Sequence, residues 1–228
     1  MTSDPQQAFV WIWMPDATEP VVAGRLDAVG DIAPFTYGRS YLARENRIPL
    51  YLPELPLERG PISPLAGAVA GCIADAAPDA WGQRVILNRH AGQDAADTND
   101  LSLLTYLLES GSDRIGALDF QASPSEYVPR LHGTAQLSEL ALSAEKVEQG
   151  IPLSPALDGA LLHGSSVGGA RPKALLSDDT RQLIAKFSST TDTFPVVKAE
   201  FVAMELARRA GLDVARVELD RSLGKTSC

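Results

Sequence analysis

Residues 164–173 read GSSVGGARPK, and this Gly-rich stretch, together with the two apolar runs that follow it, decides the fold. The runs at 173–176 and 182–187 are separated by a polar turn of sequence SDDT, a pattern typical of an antiparallel β-hairpin. A further strand is predicted to begin at Leu161 and to lead into the Gly-rich turn. The pattern therefore predicts an antiparallel meander with a glycine-rich loop between its first two strands.

The residue types of this loop suit the binding of phosphate. Glycines let backbone N–H groups approach phosphate oxygens, and Arg171 and Lys173 supply positive charge. The loop is not a Walker A motif, because Ala170 and Arg171 stand where that motif requires Lys and Ser or Thr. It is not a dinucleotide-binding fingerprint either, because no G-x-G-x-x-G occurs. An ordinary hairpin turn with solvated cations is the alternative that these residues alone leave open.

Lys186 favours the phosphate interpretation, because it interrupts the apolar strand at 182–187. The amphipathic helix predicted from 196 to 210, with Gly211 at its C-cap, follows this strand and carries Glu200 and Glu205. In kinase-like lobes, a Gly-rich hairpin, a strand lysine and a helix glutamate occur in this order, and the lysine contacts nucleotide phosphates and pairs with the acid. Taken singly, the lysine is equally typical of an exposed strand and the glutamates of any helix surface.

The rest of the chain predicts a small antiparallel sheet near the N-terminus and helices after it. β-Branched and aromatic runs bounded by Pro, Asp and Gly are typical of strands, whereas apolar residues at 3- and 4-residue spacing are typical of helices. Asp100 is the predicted N-cap of one helix. The predicted strands lie at 9–14, 21–26, 35–43, 48–53, 115–120 and 214–219. The predicted helices lie at 78–89, 100–109 and 138–149.

The composition excludes several classes of protein. With 228 residues, 45% of them apolar and 21% charged, the chain can bury a core and does not match disordered sequences. Its 20 Lys and Arg against 29 Asp and Glu give a net charge of -9, which opposes general attraction to nucleic acid or anionic membranes. Two cysteines make no disulfide framework, and residues 1–7 do not resemble a secretory signal. A cytoplasmic protein without a membrane partner is expected.

Six stretches of the chain resemble the N-terminal half of HipA-like serine/threonine kinases, the toxins of bacterial toxin–antitoxin modules. They are distributed over most of residues 8–220, in the order found in that family. Those that match the kinase part are 166–174 (SVGGARPKA), 184–187 (IAKF) and 198–207 (KAEFVAMELA). Those that match the N-terminal subdomain are 35–43 (FTYGRSYLA), 78–84 (PDAWGQR) and 113–118 (DRIGAL).

The resemblance implies which residues would serve the kinase site. Lys186 matches the nucleotide-binding lysine of the family, and Glu200 is the first choice for its partner, with Glu205 second. Ser166 matches the serine whose autophosphorylation silences such kinases, since a phosphate adds negative charge to the loop that holds ATP. The residues that match the ATP-phosphate loop are Gly168, Gly169, Ala170, Arg171, Pro172 and Lys173.

The resemblance also implies an α+β fold, with an N-terminal subdomain at 1–125 built on a small antiparallel sheet and a protein-kinase-like N-lobe at 126–228. Phosphoryl transfer further requires a catalytic Asp, an Asn and a Mg-binding Asp after the N-lobe. Asp213 and Asp220 lie too close to the N-lobe helix for these roles, so no catalytic residue and no metal ligand is expected in the chain, and the C-lobe is expected to be missing. ATP and Mg would serve the intact family member, and weak or no binding is expected here.

The expected function is therefore that of a truncated HipA-like kinase that is inactive alone. The resemblance implies a HipB-like helix-turn-helix antitoxin as a partner, with contact to DNA only through it. Two alternatives stay open from the sequence. The chain could be a non-catalytic interaction module that binds the antitoxin or a separately encoded C-lobe, or it could be a decayed remnant whose exposed apolar surface favours aggregation.

Overall fold

The chain folds into two compact units of mixed α and β structure in a computed structural model. The first unit comprises Met1–Pro78 and Asn99–Leu131, and the second comprises Asp79–Thr98 and His132–Cys228. The described residues 79–91 thus belong to the same unit as the C-terminal segment, although they precede the domain boundary predicted after residue 125. The structure describes residues 4–91, 101–114, 116–130, 137–151, 153, 161, 169–177, 181–222 and 225–227.

A five-stranded antiparallel sheet with the strand order β4-β3-β2-β1-β5 is the framework of the first unit. The predicted hairpin of the first two strands is confirmed, since Val10 lies opposite Gly24 in an antiparallel pair. The strands are β1 (Gln7–Ile12), β2 (Val21–Asp27), β3 (Phe35–Tyr37), β4 (Pro61–Ile62) and β5 (Leu118–Gln121).

Two strand predictions in this unit are wrong, one in its second half and the other over its whole length. Residues 41–43 do not continue β3, because the chain turns into the short helix α1 (Arg39–Leu42), whose buried Tyr41 donates to the carbonyl of Ile48 at 2.8 Å. Residues 48–53 do not form the edge strand, which is β4 instead. Two prolines remove ladder donors from that segment, and the Tyr37 hydroxyl accepts from the Leu50 N–H at 2.9 Å in place of a strand neighbour.

Two further helices complete the first unit, α2 (Gly71–Asp75) and α4 (Leu103–Glu109). The N-cap of α4 is Ser102, whose hydroxyl accepts from the Thr105 N–H at 3.2 Å, and not Asp100, which lies outside the described residues. One apolar cluster joins the sheet to the helices. Its buried members are Ala8, Val10, Ile12, Met14, Ala23, Leu26, Ala33, Phe35, Tyr37, Tyr41, Leu55, Val69, Ala70, Ile73, Ala76, Leu104, Leu107 and Phe120.

A buried ionic cluster lies at the end of this sheet, around Asp119 of β5. Arg114 Nε and Arg130 Nη2 lie 2.9 and 2.8 Å from one carboxylate oxygen of Asp119. The Tyr127 hydroxyl and Gln121 Nε2 donate to the other oxygen at 3.0 and 3.1 Å. Both Asp119 oxygens are therefore occupied, and the side chain is fully buried.

Arg114 links this cluster to the helices of the unit. Its guanidinium donates to the carbonyls of Ala76 at 2.8 Å and Leu107 at 2.7 Å, and it lies over the Phe120 ring. Burial lowers the pKa of Arg114 to about 10 against the attraction of Asp119. Burial also acts to raise the pKa of Asp119, but the two arginines outweigh it and hold that pKa below its ordinary value. The cluster thus connects the sheet to the helices through charged side chains inside the apolar core.

Three longer helices and two hairpins lie among the described residues of the second unit. The predicted helices near 78–89 and 138–149 are confirmed as α3 (Ala80–Ala91) and α5 (Leu137–Glu148), which contact each other. The predicted hairpin is confirmed as β6 (Lys173–Ser177) and β7 (Gln182–Lys186). The remaining elements are α6 (Val196–Arg209), β8 (Asp220–Ser222) and β9 (Lys225–Ser227). The buried apolar residues are Trp81, Val85, Ile86, Leu87, Leu140, Ala144, Val147, Leu161, Ala174, Ala185, Phe187 and Val197.

Two strand predictions in this unit are wrong. Leu161 is helical, as is common for a short apolar run whose period does not distinguish helix from strand. Residues 214–219 form no strand, and the chain pairs only beyond them, where β8 meets β9. The C-cap of α6 is Ala210, and Gly211 follows it with φ +84°. No helix among the described residues has the length and apolar character that crossing a bilayer requires.

Candidate functional site

The β6–β7 hairpin places two lysines side by side. Lys173 and Lys186 lie directly opposite each other in the antiparallel register, so their side chains leave the same face of the hairpin. Like charges in this arrangement destabilise a strand pair unless each has a partner of opposite sign. Two helices supply these partners, one acid from the start of α3 and one from α6.

Lys186 forms an ion pair with Glu200 of α6. Both side chains stay open to solvent, with 39% of Lys186 and 36% of Glu200 exposed. Glu205, the second choice from the sequence, instead pairs with Arg208 one turn further along the same helix, at 2.9 Å. The structure thus brings together the strand lysine and the first-choice glutamate, while the role of this pair toward ATP stays a prediction.

Lys173 is placed very differently, with only 3% of its side chain exposed. Its ammonium lies 3.2 Å from a carboxylate oxygen of Asp79 and also donates to the carbonyl of Gly169. Burial lowers the pKa of Lys173, and the charge of Lys186 acts in the same direction, whereas the attraction of Asp79 opposes both. Lys173 is therefore engaged within the protein at the base of the Gly-rich loop.

Helix α3 approaches this loop and strand with three side chains. Asp79 accepts from the Trp81 and Gly82 N–H groups at 3.0 Å each, so the same carboxylate caps the helix and holds Lys173. The indole of Trp81, fully buried, donates to the Lys173 carbonyl at 3.0 Å. Arg84 Nη2 donates to the Ala170 carbonyl at 3.1 Å. The start of α3 is therefore part of the site.

Sequence reasoning did not assign Asp79, Trp81 and Arg84 to the site, although it quoted the segment PDAWGQR at 78–84 as a family motif. The available signal was an Asp at the start of a predicted helix, which is the pattern of an N-cap that accepts from the N–H groups two and three residues later. Such a cap carries no information about a lysine that follows 94 residues later in the chain.

The part of the loop that the structure describes is shaped by Gly169 and Arg171. Gly169 has φ +114°, and a side chain there would bring its Cβ to 3.1 Å from the Lys173 ammonium, so glycine is required. Arg171 Nη1 lies 2.6 Å from Asp192 Oδ1, which directs its charge to the loop before α6. The Pro172 carbonyl accepts from the Phe187 N–H at 2.9 Å and extends the hairpin. Ser166 and Gly168 lie outside the described residues.

The connection between β7 and α6 is held from the end of α5. Glu148 accepts from the Ser189 hydroxyl with one carboxylate oxygen, and from the N–H and hydroxyl of Thr190 at 3.1 and 3.2 Å with the other. These contacts fix the loop that carries the chain from Lys186 to Glu200. Helix α5 thus helps to set the path of the chain between the strand lysine and its helix partner.

Two models of protein families match the chain. The model of the HipA N-terminal domain matches residues 14–121, which include β2, β3, β4 and β5 of the five-stranded sheet but not β1. The model of the HipA-like C-terminal domain matches residues 165–226, which include the Gly-rich loop, β6, β7 and α6. Together they cover about three quarters of the chain. None of the curated proteins matches it.

Proposed function

The chain is a HipA-like protein, and from that premise we propose that its second unit is the phosphate-facing part of a HipA-like serine/threonine kinase of a toxin–antitoxin system. The observation that carries this proposal is the Lys186–Glu200 pair, which joins the hairpin after a Gly-rich loop to the helix that follows. In kinase lobes this lysine–glutamate pair positions the nucleotide phosphates. The exposure of both side chains leaves room for a ligand to approach.

The residues present fit part of a nucleotide site. Lys186 offers a half-exposed ammonium, and the backbone at Gly169 turns through a conformation that favours glycine, as phosphate-holding loops often do. Phosphate oxygens of ATP would lie against these groups. No group of three or more potential ligands for Mg is placed together among the described residues. This set supports binding of phosphates.

We therefore infer that residues 1–228 alone do not transfer phosphate and bind ATP only weakly. Phosphoryl transfer needs a positioned acid and metal-binding side chains in addition to the lysine–glutamate pair. No Asp-Phe-Gly or His-x-x-Asp sequence occurs in the chain. The autophosphorylation of Ser166 and the binding of a HipB-like antitoxin belong to this proposal as properties of the complete kinase system.

Site-specific labelling of lysines tests this function. An amine-reactive ester would be added to the protein with and without about 5 mM Mg-ATP. This concentration would suit weak binding with a Kd of about 1 mM. The extent of labelling at each lysine would be measured by mass spectrometry. We expect nucleotide to slow the labelling of Lys186 and to leave Lys198 unchanged, because Lys198 is exposed on α6 outside the pair.

The same experiment identifies the results that contradict the proposal. Equal labelling of Lys186 with and without nucleotide, in protein that melts cooperatively, would remove Lys186 from any phosphate site. A low-micromolar affinity for Mg-ATP that disappears in Lys186→Ala would instead show that the chain binds nucleotide as a complete site does, against the weak binding inferred here.

A second candidate function is that of an interaction module, and one observation favours it. Apolar side chains on β7 and α6 are exposed, namely those of Leu183, Ile184, Val202 and Leu206. An exposed apolar surface of this kind is typical of a site for another protein segment. A separately encoded C-lobe or the antitoxin is the partner that the resemblance suggests. This candidate depends on the apolar side chains and not on Lys186.

A further inference from the structure

The two lysines of the hairpin differ in a way that assigns them different roles. They face each other across β6 and β7, yet 3% of the Lys173 side chain is exposed against 39% of Lys186. The Lys173 ammonium donates to Asp79 and to the carbonyl of Gly169. A phosphate could reach Lys186 from solvent, whereas it would have to break an internal ion pair to reach Lys173.

We propose that Asp79 is a positioning residue that holds Lys173 against Gly169, so that Lys173 supports the Gly-rich loop from inside and Lys186 is the lysine that meets a phosphate ligand. The identity of that ligand rests on the proposed function, but the clamp between Asp79, Lys173 and Gly169 does not. This inference departs from the sequence-based expectation, which placed Lys173 among the phosphate-binding residues.

The clamp is built from more than one contact. Asp79 is itself fixed, because its other oxygen caps α3. The indole of Trp81 holds the Lys173 carbonyl, and Arg84 holds the Ala170 carbonyl, so backbone and side chain of the loop base are both bound to α3. Three contacts from one helix and its cap to the span Gly169–Lys173 would be unnecessary for a loop that only turns in solvent.

Charge explains why the clamp needs an acid. A buried ammonium without a partner is strongly unfavourable, and here the positive charge of Lys186 lies beside it as well. Asp79 compensates that charge on the inner side, as Glu200 does for Lys186 on the outer side. Removal of the Asp79 charge should therefore release Lys173 from the loop base toward water.

Lysine labelling of the full chain tests the clamp with Asp79→Asn. Asparagine keeps an oxygen that can cap α3, so the helix is expected to form. We expect Lys173 to react about tenfold faster in Asp79→Asn, because its ammonium loses the partner that holds it at the loop base and becomes accessible to the reagent in water. The labelling of Lys186 and of Lys198 should stay within about twofold of wild type under the same conditions.

Two variants serve as controls. Glu200→Gln should speed the labelling of Lys186 and leave Lys173 protected, because the two pairs use different acids. Asp79→Glu keeps the carboxylate, so the protection of Lys173 should return to within about threefold of wild type. Rescue by a carboxylate and not by an amide separates a charge clamp from mere filling of space.

An unchanged labelling rate of Lys173 in folded Asp79→Asn would overturn the clamp. If that variant fails to fold, it will show no cooperative urea transition, and Asp79→Glu then decides, since a roughly tenfold rise at Lys173 in that folded variant would overturn it as well. Different results contradict the proposed clamp and the proposed nucleotide site. Loss of ATP protection at Lys186 would contradict the proposed function and leave the contrast between Asp79→Asn and wild type untouched.

Discussion

Two ionic clusters, one in each unit, show how burial distinguishes a cluster that stabilises the fold from one that can bind a ligand. In the first unit Asp119 is fully buried, and both its oxygens are occupied by the side chains of Arg114, Arg130, Tyr127 and Gln121. In the second unit the Lys186–Glu200 pair keeps more than a third of each side chain exposed. A saturated buried cluster has no capacity for a ligand, whereas an open pair has.

The Asp79–Lys173 pair lies between these extremes. Lys173 is nearly as buried as Arg114 of the first unit, but Asp79 keeps 21% of its side chain exposed. The three clusters therefore form a series of increasing exposure. The cluster around Asp119 holds a sheet to its helices, the Asp79–Lys173 pair supports a loop, and the Lys186–Glu200 pair faces solvent. The series predicts that the cost of breaking each cluster falls in the same order.

The largest effect is expected from Asp119→Asn, which leaves two arginines in or near the core without a counter-charge. Breaking a buried ion pair by removal of one partner costs about 3–5 kcal/mol, so the first unit should unfold at much lower urea concentration. Tryptophan fluorescence would follow the transition, since Trp11 and Trp13 both pack on Tyr127 next to the cluster. Asp27→Asn is the matched control, because its pair with Arg25 is exposed and should cost less than about 1 kcal/mol. Equal costs for the two variants would contradict this view of the cluster.

The pH dependence sharpens the same comparison. The pKa of Asp119 is held below its ordinary value in the folded protein, so the stability it contributes is fully present above the unfolded pKa of about 3.9 and is lost as the pH falls through the folded value. The difference in unfolding free energy between wild type and Asp119→Asn should therefore be constant from pH 7 to about 5 and shrink below about pH 4. Urea titrations at several pH values measure it. A difference that grows on acidification would have the wrong sign.

The sequence was informative where the deciding contacts are local. The hairpin of β6 and β7 follows from two apolar runs around a polar turn, and its register sets Lys186 beside its neighbour without further information. Glu200 could be predicted as the partner because it lies 14 residues after Lys186, on the next element of the chain. The helices α3 and α5 follow from their apolar spacing in the same way.

The sequence was not informative where a side chain pairs with a residue far away in the chain, or where a side chain takes the place of a strand as the hydrogen-bond partner of the backbone. Asp79 meets Lys173 across 94 residues, and nothing local to either predicts that contact. Residues 48–53 have the composition of a strand, but the hydroxyls of Tyr37 and Tyr41 take up their backbone groups. Residues 214–219 alternate like a strand and pair with no other strand in the described part of the chain. Each case depends on tertiary contacts that override a local pattern.

The smallest effect on stability is expected where the proposed function is located. Lys186→Ala, Glu200→Gln and the double variant form a cycle whose coupling energy should be below about 1 kcal/mol, because both side chains are more than a third exposed and water screens the pair. The urea midpoints of the four proteins provide this value. Small coupling, together with ATP protection of Lys186 that is present in wild type and lost in Glu200→Gln, would mean that the pair is maintained for a ligand. Coupling of about 3 kcal/mol would place it instead with the buried cluster around Asp119, as part of the architecture of the second unit.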